Sequence, residues 1–176
     1  MNIIETLDWL GEKPVEFLFK LGGMDLCLTK KDDIASKVVP RLAKFLQKAK
    51  ESVWVVTPDL RSEVYGQQQI LTAFEILQGK GVQIEIIYPE RVKNTMTPQM
   101  WKVLQRQGIH LYEAEQAAVS TDGDRWLIDG QGVMQERRNV AYGKKEEHYF
   151  VKSGGDLATS TGMKFEELKA GAKKIS

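Results

Sequence analysis

The sequence predicts a single α/β domain, and three observations carry that prediction. Residues 52–57, Ser-Val-Trp-Val-Val-Thr, are a continuous β-branched and aromatic run, the pattern of a strand buried on both faces. A helical pattern follows, with Ile70, Leu71, Phe74, Ile76 and Leu77, closed by Gly79 and Gly81, and residues 82–88 read as the next strand. Strand, helix, strand at this spacing is a βαβ unit, so the two strands run parallel with a right-handed crossover. The third observation is Asp129-Gly130, set between the short apolar runs Trp126-Leu127-Ile128 and Val133-Met134. Asp-Gly between strand-like runs signals a hairpin, because a type I′ turn needs φ > 0 at both central positions.

The elements follow in order. Residues 1–23 form a separate N-terminal helical segment, and residues 24–176 the α/β domain. Within the segment, Ile3, Ile4, Leu7, Trp9 and Leu10, then Val15, Phe17, Leu18 and Leu21, suit two short amphipathic helices broken between Gly11 and Pro14. Glu5, Asp8, Glu12 and Lys13 make the first polar side net acidic, which fits packing on the domain or a partner better than a membrane surface. Residues 24–29 read as a strand containing Cys27, a small buried hydrophobe. Asp32-Asp33 opens a helix to about Lys50, with a kink or late start expected at Pro40. After Pro58 come a polar loop over residues 59–66 and the βαβ helix. A short helix is expected over residues 98–107 and a strand over 108–112. An Asp122-Gly123 hairpin, a strand over 148–151 and a final helix from about Asp156 to Ala172 complete the chain.

Composition narrows the function classes. The chain has 176 residues, 42% hydrophobic and 28% charged, as in one soluble globular domain with a sizeable core. Its net charge of +1 gives no bulk attraction to nucleic acid or anionic lipid, so such binding must come from a local patch. One cysteine excludes an internal disulfide and a Cys-only zinc site. No signal peptide is visible and no apolar run approaches the ~20 residues that span a bilayer, so the expected compartment is the cytoplasm.

The residues that carry chemistry gather in residues 120–139, Ser-Thr-Asp-Gly-Asp-Arg-Trp-Leu-Ile-Asp-Gly-Gln-Gly-Val-Met-Gln-Glu-Arg-Arg-Asn. With the flanking pieces Ala-Lys-Glu-Ser-Val-Trp-Val-Val-Thr-Pro-Asp-Leu, Gly-Lys-Gly-Val-Gln-Ile-Glu-Ile-Ile-Tyr-Pro-Glu and Gln-Gly-Ile-His-Leu-Tyr-Glu-Ala-Glu, the chain from Ile34 to Leu168 resembles a half-unit of the phospholipase D superfamily. The resemblance implies a mixed sheet flanked by helices. Its signature is His-x-Lys, four residues, Asp, six residues, Gly-Ser-x-Asn. With Asp129 as the family's Asp, Asn139 falls on its Asn, Asp122 on its His, Asp124 on its Lys, and Glu136 and Arg137 on its Gly-Ser. The layout is kept and most of the chemistry is missing, since a carboxylate at each position repels the phosphodiester that the family's His attacks and its Lys neutralises. Single-motif members of the family often pair across the motif edge, so the resemblance also implies a homodimer.

Two functional classes remain open. The first is a non-catalytic phospholipase D-like module that binds a phosphate-bearing partner, nucleic acid foremost, or serves as scaffold or sensor. Its phosphate contacts would be Arg137, Arg138, Lys144 and Lys145, with Lys152 alongside, diluted by Glu136, Glu146 and Glu147; a solvated face of mixed ion pairs is the other reading. Tyr142 and Tyr149 could stack bases. The second class is a phosphodiesterase or nuclease with a rearranged site, its catalytic candidates Asp129, Asn139 and His148. Asp122, Asp124 and Asp129 could hold a hard cation such as Mg²⁺, or serve the turn and solvent. Asp129 and Asn139 could equally cap strand ends. No organic cofactor is expected, and whether the chain is an enzyme stays open at this point.

Overall fold

The computed structural model describes residues 24–106, 108–120, 122–138 and 146–175, apart from the side chains of residues 31 and 93–95. The expected N-terminal helices, Asn139, Tyr142, Lys144 and Lys145 therefore lie outside the described residues. Eight strands form one mixed sheet: β1 (Met24–Thr29), β2 (Ser52–Val56), β3 (Gln83–Pro89), β4 (Ile109–Ala114), β5 (Arg125–Ile128), β6 (Gly132–Arg137), β7 (Glu146–Val151) and β8 (Lys173–Lys174). Their order across the sheet is β1-β7-β6-β5-β2-β3-β4-β8. Strands β2, β3 and β4 run parallel, as the βαβ pattern requires, and the remaining pairs are antiparallel.

Side-chain alternation along each strand divides the sheet into two faces. On one face Val53, Val55, Ile84, Ile86, Trp126, Ile128, Met134 and Phe150 pack under α1 (Ile34–Leu46), α2 (Ser62–Tyr65), α3 (Gln68–Gly79) and α4 (Pro98–Leu104). On the other, α5 (Asp156–Gly171) sets Ala158, Phe165 and Leu168 against Leu127, Val133, Ile87 and Tyr112. Trp54 stacks on Phe165, ring centroids 4.7 Å apart.

Several expectations are adjusted. Helix α1 starts at Ile34 and runs through Pro40 to Leu46. Pro40 is exposed, so water can take up the Ser36 carbonyl that loses its helical partner. The loop after β2 contains a one-turn helix, α2, because Val64 and Tyr65 bury there. The hairpin turn lies at 129–131, not at Asp122-Gly123: Asp129 and Gly130 both have positive φ, 49° and 66°, and Ile128 pairs with Gly132. Residues 122–124 instead continue beside β6, where the Asp124 carbonyl accepts from Glu136 N and the Asp122 carbonyl from Arg138 N. Gly123 makes that passage possible. Its φ is 139°, and a Cβ there would stand 2.7 Å from the Glu136 carbonyl.

Candidate functional site

In this topology the end of β2, the end of β3, the start of β5, the end of β6, the start of β7 and the end of β1 share one edge of the sheet. The residues that meet there are polar and buried. Asp124, 1% exposed, enters from the start of β5. It accepts hydrogen bonds from the Thr57 hydroxyl at 2.8 Å and the Tyr65 hydroxyl at 2.8 Å. Thr57 also accepts from Leu60 N at 3.1 Å, which tightens the loop after β2. Leu60, buried at 1%, is held at φ 44°, a conformation rare for a branched side chain. That bend aims Asp59 at β6 and Arg61 at β6 and β7.

Two arginines tie the edge together. Arg138 donates its fork to Asp59, at 2.5 and 3.0 Å, and reaches Glu136 through Nε at 3.0 Å. Arg61 donates to both oxygens of Glu146, at 3.1 and 3.0 Å, and also contacts Glu136. His148 is 1% exposed, with Nε2 3.1 Å from the Thr29 hydroxyl and 3.8 Å from Glu146. Burial, helped by Arg61, Arg138 and Arg41, lowers its pKa to about 3, so the ring is neutral at physiological pH. Burial also pushes the Asp124 carboxyl up, against the pull of Arg138 and Arg61. Four carboxylates (Asp59, Asp124, Glu136, Glu146) face two guanidiniums, an excess of two negative charges if all ionise. The Asp59 carboxylate adds to the rise in the Asp124 pKa that burial causes.

Ligand atoms of Glu136, Glu146 and His148 lie within 4.8 Å of one another, close enough for a metal ion. Arg61 already bonds both carboxylates, so the cation between them is the protein's own. The metal group expected from sequence is not assembled. Asp124 and Asp129 stand at opposite ends of β5, roughly 16 Å apart along an extended strand, and Asp122 is exposed. Asp129 instead closes the far end. Its carboxylate accepts from the amides of Lys50, Glu51 and Ser52 at 2.8–3.2 Å. Partial burial raises its pKa, but those three amides outweigh it and hold the carboxyl below its usual value.

The expected basic cluster is also divided. Arg137 and Arg138 are successive residues of an extended chain, so they project from opposite faces of the sheet. Arg138 is engaged in the ion-pair edge. Arg137 is half-exposed on the α5 face, 3.7 Å from Glu147, and Lys152 is exposed at the far end of β7.

The fold coincides with a known architecture. The chain is similar to Nuc from Salmonella typhimurium, a phospholipase D family member, with a TM-score of 0.65 at 13% identity, over 86% of this chain and 98% of that one. The fold is phospholipase D-like. NucT from Helicobacter pylori superposes comparably, with a TM-score of 0.62 at 12% identity over 86% of this chain and 99% of that one. TrmBL2, an archaeal chromatin protein with a novel mode of DNA binding, gives 0.60 at 15% identity, over 98% of this chain and 60% of TrmBL2. No protein-family model and no curated protein matches the sequence. Among the described residues, no helix is long and apolar enough to cross a membrane.

On the phospholipase D-like fold the motif positions separate. Asp122, which the sequence resemblance set against the family's His, is exposed, while Asp124, set against its Lys, is buried in the edge. Asp129 clamps the turn, and Asn139 lies outside the described residues. Sequence reading had singled out His148 and Asp124 but missed Thr57, Asp59, Arg61, Tyr65 and Glu146 as their partners. A signal was present. Glu136-x-Arg138 and Glu146-x-His148 place charged or polar residues at period two, on one face of adjacent strands whose other residues there are apolar.

Proposed function

We propose that this chain is a non-catalytic phospholipase D-like module that engages a phosphate-bearing partner, with nucleic acid the foremost candidate, and acts as a binding or scaffold unit, as a homodimer. The observation that carries the reading is that both guanidiniums of the edge are already paired with carboxylates. Where phosphodiester chemistry needs a free nucleophile and a free cation, His148 is buried with its Nε2 against the Thr29 hydroxyl, and Arg61 and Arg138 are bound by carboxylates. TrmBL2 supports nucleic acid as the partner class through its DNA binding, although this chain matches only 60% of that protein. With Arg138 occupied, Arg137 and Lys152 are the described members of the sequence cluster left to meet phosphate, joined by Lys144 and Lys145.

A salt series with fluorescein-labelled single- and double-stranded DNA and RNA tests this, with cleavage followed on the same samples with and without Mg²⁺. The expected result is binding that weakens with salt, no cleavage, and about thirtyfold weaker binding in Arg137→Ala/Lys152→Ala, since each of the two lost phosphate contacts costs roughly 1 kcal/mol. Absence of salt-sensitive binding to any of the four probes removes nucleic acid from the reading. The Glu136, Glu146 and His148 constellation favours a second reading, a metal-dependent phosphodiesterase in which Arg61 swings away. Cleavage that survives repurification and disappears in His148→Gln would establish it instead.

A further inference from the structure

At the polar edge the two faces of the sheet treat their charges differently. Leu127 and Val133 pack under α5, so strand alternation places Arg125, Gln135 and Arg137 on that same face. On the opposite face both guanidiniums of the edge are clasped, Arg61 by Glu136 and Glu146, Arg138 by Asp59 and Glu136. On the α5 face the part-buried Arg125 and Gln135 side chains have no hydrogen bond or ion pair among the described residues. Arg137, its side chain 51% exposed, meets Glu147 at 3.7 Å, beyond hydrogen-bond reach. That carboxylate already accepts the Tyr149 hydroxyl at 2.5 Å. Two guanidiniums therefore stand against one carboxylate. Part-buried polar groups without partners are costly unless something outside the chain supplies them.

The register completes the patch. Arg125 pairs with Gln135 across β5 and β6, and Arg137 follows two residues on. The arginines are thus diagonal neighbours, with Cα atoms roughly 7–8 Å apart. At that spacing their forks close on one phosphate or on two in succession, with the Gln135 amide between them as a further donor. Lys152 stands apart from this pair. It lies along β7 from the Glu147 that faces Arg137, roughly 17 Å away on an extended strand. We infer that Arg125, Gln135 and Arg137 form a phosphate-binding site that meets the backbone of a nucleic-acid strand, with Arg125 as its anchor. The inference rests on the function proposed above. It adds a residue outside the basic cluster of the sequence and the face of the sheet on which the strand lies. The donors select the ligand chemistry, since two planar forks around an amide, with one positive charge in excess, match the several acceptor oxygens of a phosphate.

Anisotropy titrations of fluorescein-labelled single- and double-stranded DNA and RNA with the full chain test it. Arg125→Gln should bind about tenfold more weakly, and its plot of log K against log salt should be shallower by about one, as one phosphate contact is lost. Arg125→Lys should regain the slope but only part of the affinity, because an ammonium does not reproduce the fork. Lys102→Gln removes an exposed charge from α4, under the opposite face, and should stay within about twofold of the wild type, since a distant charge is screened. Binding undiminished in Arg125→Gln, or diminished equally in Lys102→Gln, would overturn the inference and leave the binding function standing. Inorganic phosphate separates the two claims without any variant. Added to the wild-type chain at constant ionic strength, it should shift the Arg125 Nε–H resonance saturably. That shift without nucleic-acid binding would overturn the nucleic-acid reading and keep the site for a free phosphate; no shift and no binding would overturn both.

Discussion

Strand β5 begins and ends near an aspartate, and the two behave in opposite ways. Asp124 sits at the polar edge, buried, facing two hydroxyls and more carboxylates than cations, and its pKa is raised. Asp129 sits five residues on, at the hairpin turn, facing three backbone amides, and its pKa is lowered. The residue type is the same, and both lie in the stretch from Ser120 to Asn139. What differs is burial, complete at Asp124 and partial at Asp129, and then which groups the fold has aimed at the carboxylate. At the Asp129 end the charge is the stabilising feature, solvated by amides that would otherwise be orphans at the start of β2. At the Asp124 end charge is a liability that Arg61 and Arg138 contain.

The largest effect should follow from uncoupling that containment. Arg61→Met keeps much of the side-chain volume but strips Glu146 of its guanidinium and leaves Glu136 with Arg138 alone. Breaking a buried pair in this way costs about 3–5 kcal/mol, read as a fall in the denaturant midpoint at unchanged slope. Adding Glu146→Gln should restore a substantial part, because the orphaned charge rather than the lost bond carries most of the penalty. If Arg61→Met costs less than about 1 kcal/mol, the edge is not an ion-pair lock and the contrast between the two ends fails.

Asp129→Asn should have a smaller effect, about 2 kcal/mol at pH 7, as hydrogen bonds to a charged acceptor become bonds to a neutral one. Asn tolerates the positive φ of this position, so the turn itself should survive. The sign with pH follows from the lowered folded-state pKa. The wild-type advantage is complete above the unfolded value near 3.8 and disappears as pH falls through the folded one. In urea melts the gap between the two proteins should therefore narrow as pH falls below 3.8; a gap that stays constant would mean that geometry, not charge, is what Asp129 supplies.

The fold was largely legible because its signals are local or periodic. The parallel β2-β3 pair follows from the β-branched run at 52–57 and the helix behind it, and the Asp129-Gly130 hairpin from the only chemistry that suits two positive φ values. The site was legible only in part. Asp124 and His148 stand out in the chain, but their partners come from residues 57–65 and from Thr29 of β1, some 60 to 120 residues away in sequence. Nothing local announces that Thr57 and Tyr65 will donate to Asp124, or that a buried leucine will turn the backbone so that Asp59 and Arg61 clasp two strands. The adjacent Arg137 and Arg138 misled for the converse reason. Neighbours in sequence are opposites in a strand, and a charge cluster read along the chain is cut in two by the pleat.

The smallest effect, and the sharpest test of the contrast, is expected at Asp124→Asn. An asparagine there still accepts one hydrogen bond, and a hydroxyl of Thr57 or Tyr65 can turn to accept from the new amide, so the network stays satisfied. Stability at pH 7 should change by less than about 1 kcal/mol. Its pH dependence runs opposite to that at Asp129. A folded-state pKa above the unfolded value means that protonation favours the native chain, so the wild type gains as pH falls through the raised pKa and stops gaining below the unfolded value. The neutral asparagine cannot take up that proton. The variant should therefore compare best with the wild type at neutral pH and progressively less well in acid, whereas Asp129→Asn compares worst at neutral pH and recovers in acid. Parallel urea melts of both variants across that range would show the two curves crossing; two curves of the same sign would place both aspartates in one electrostatic environment.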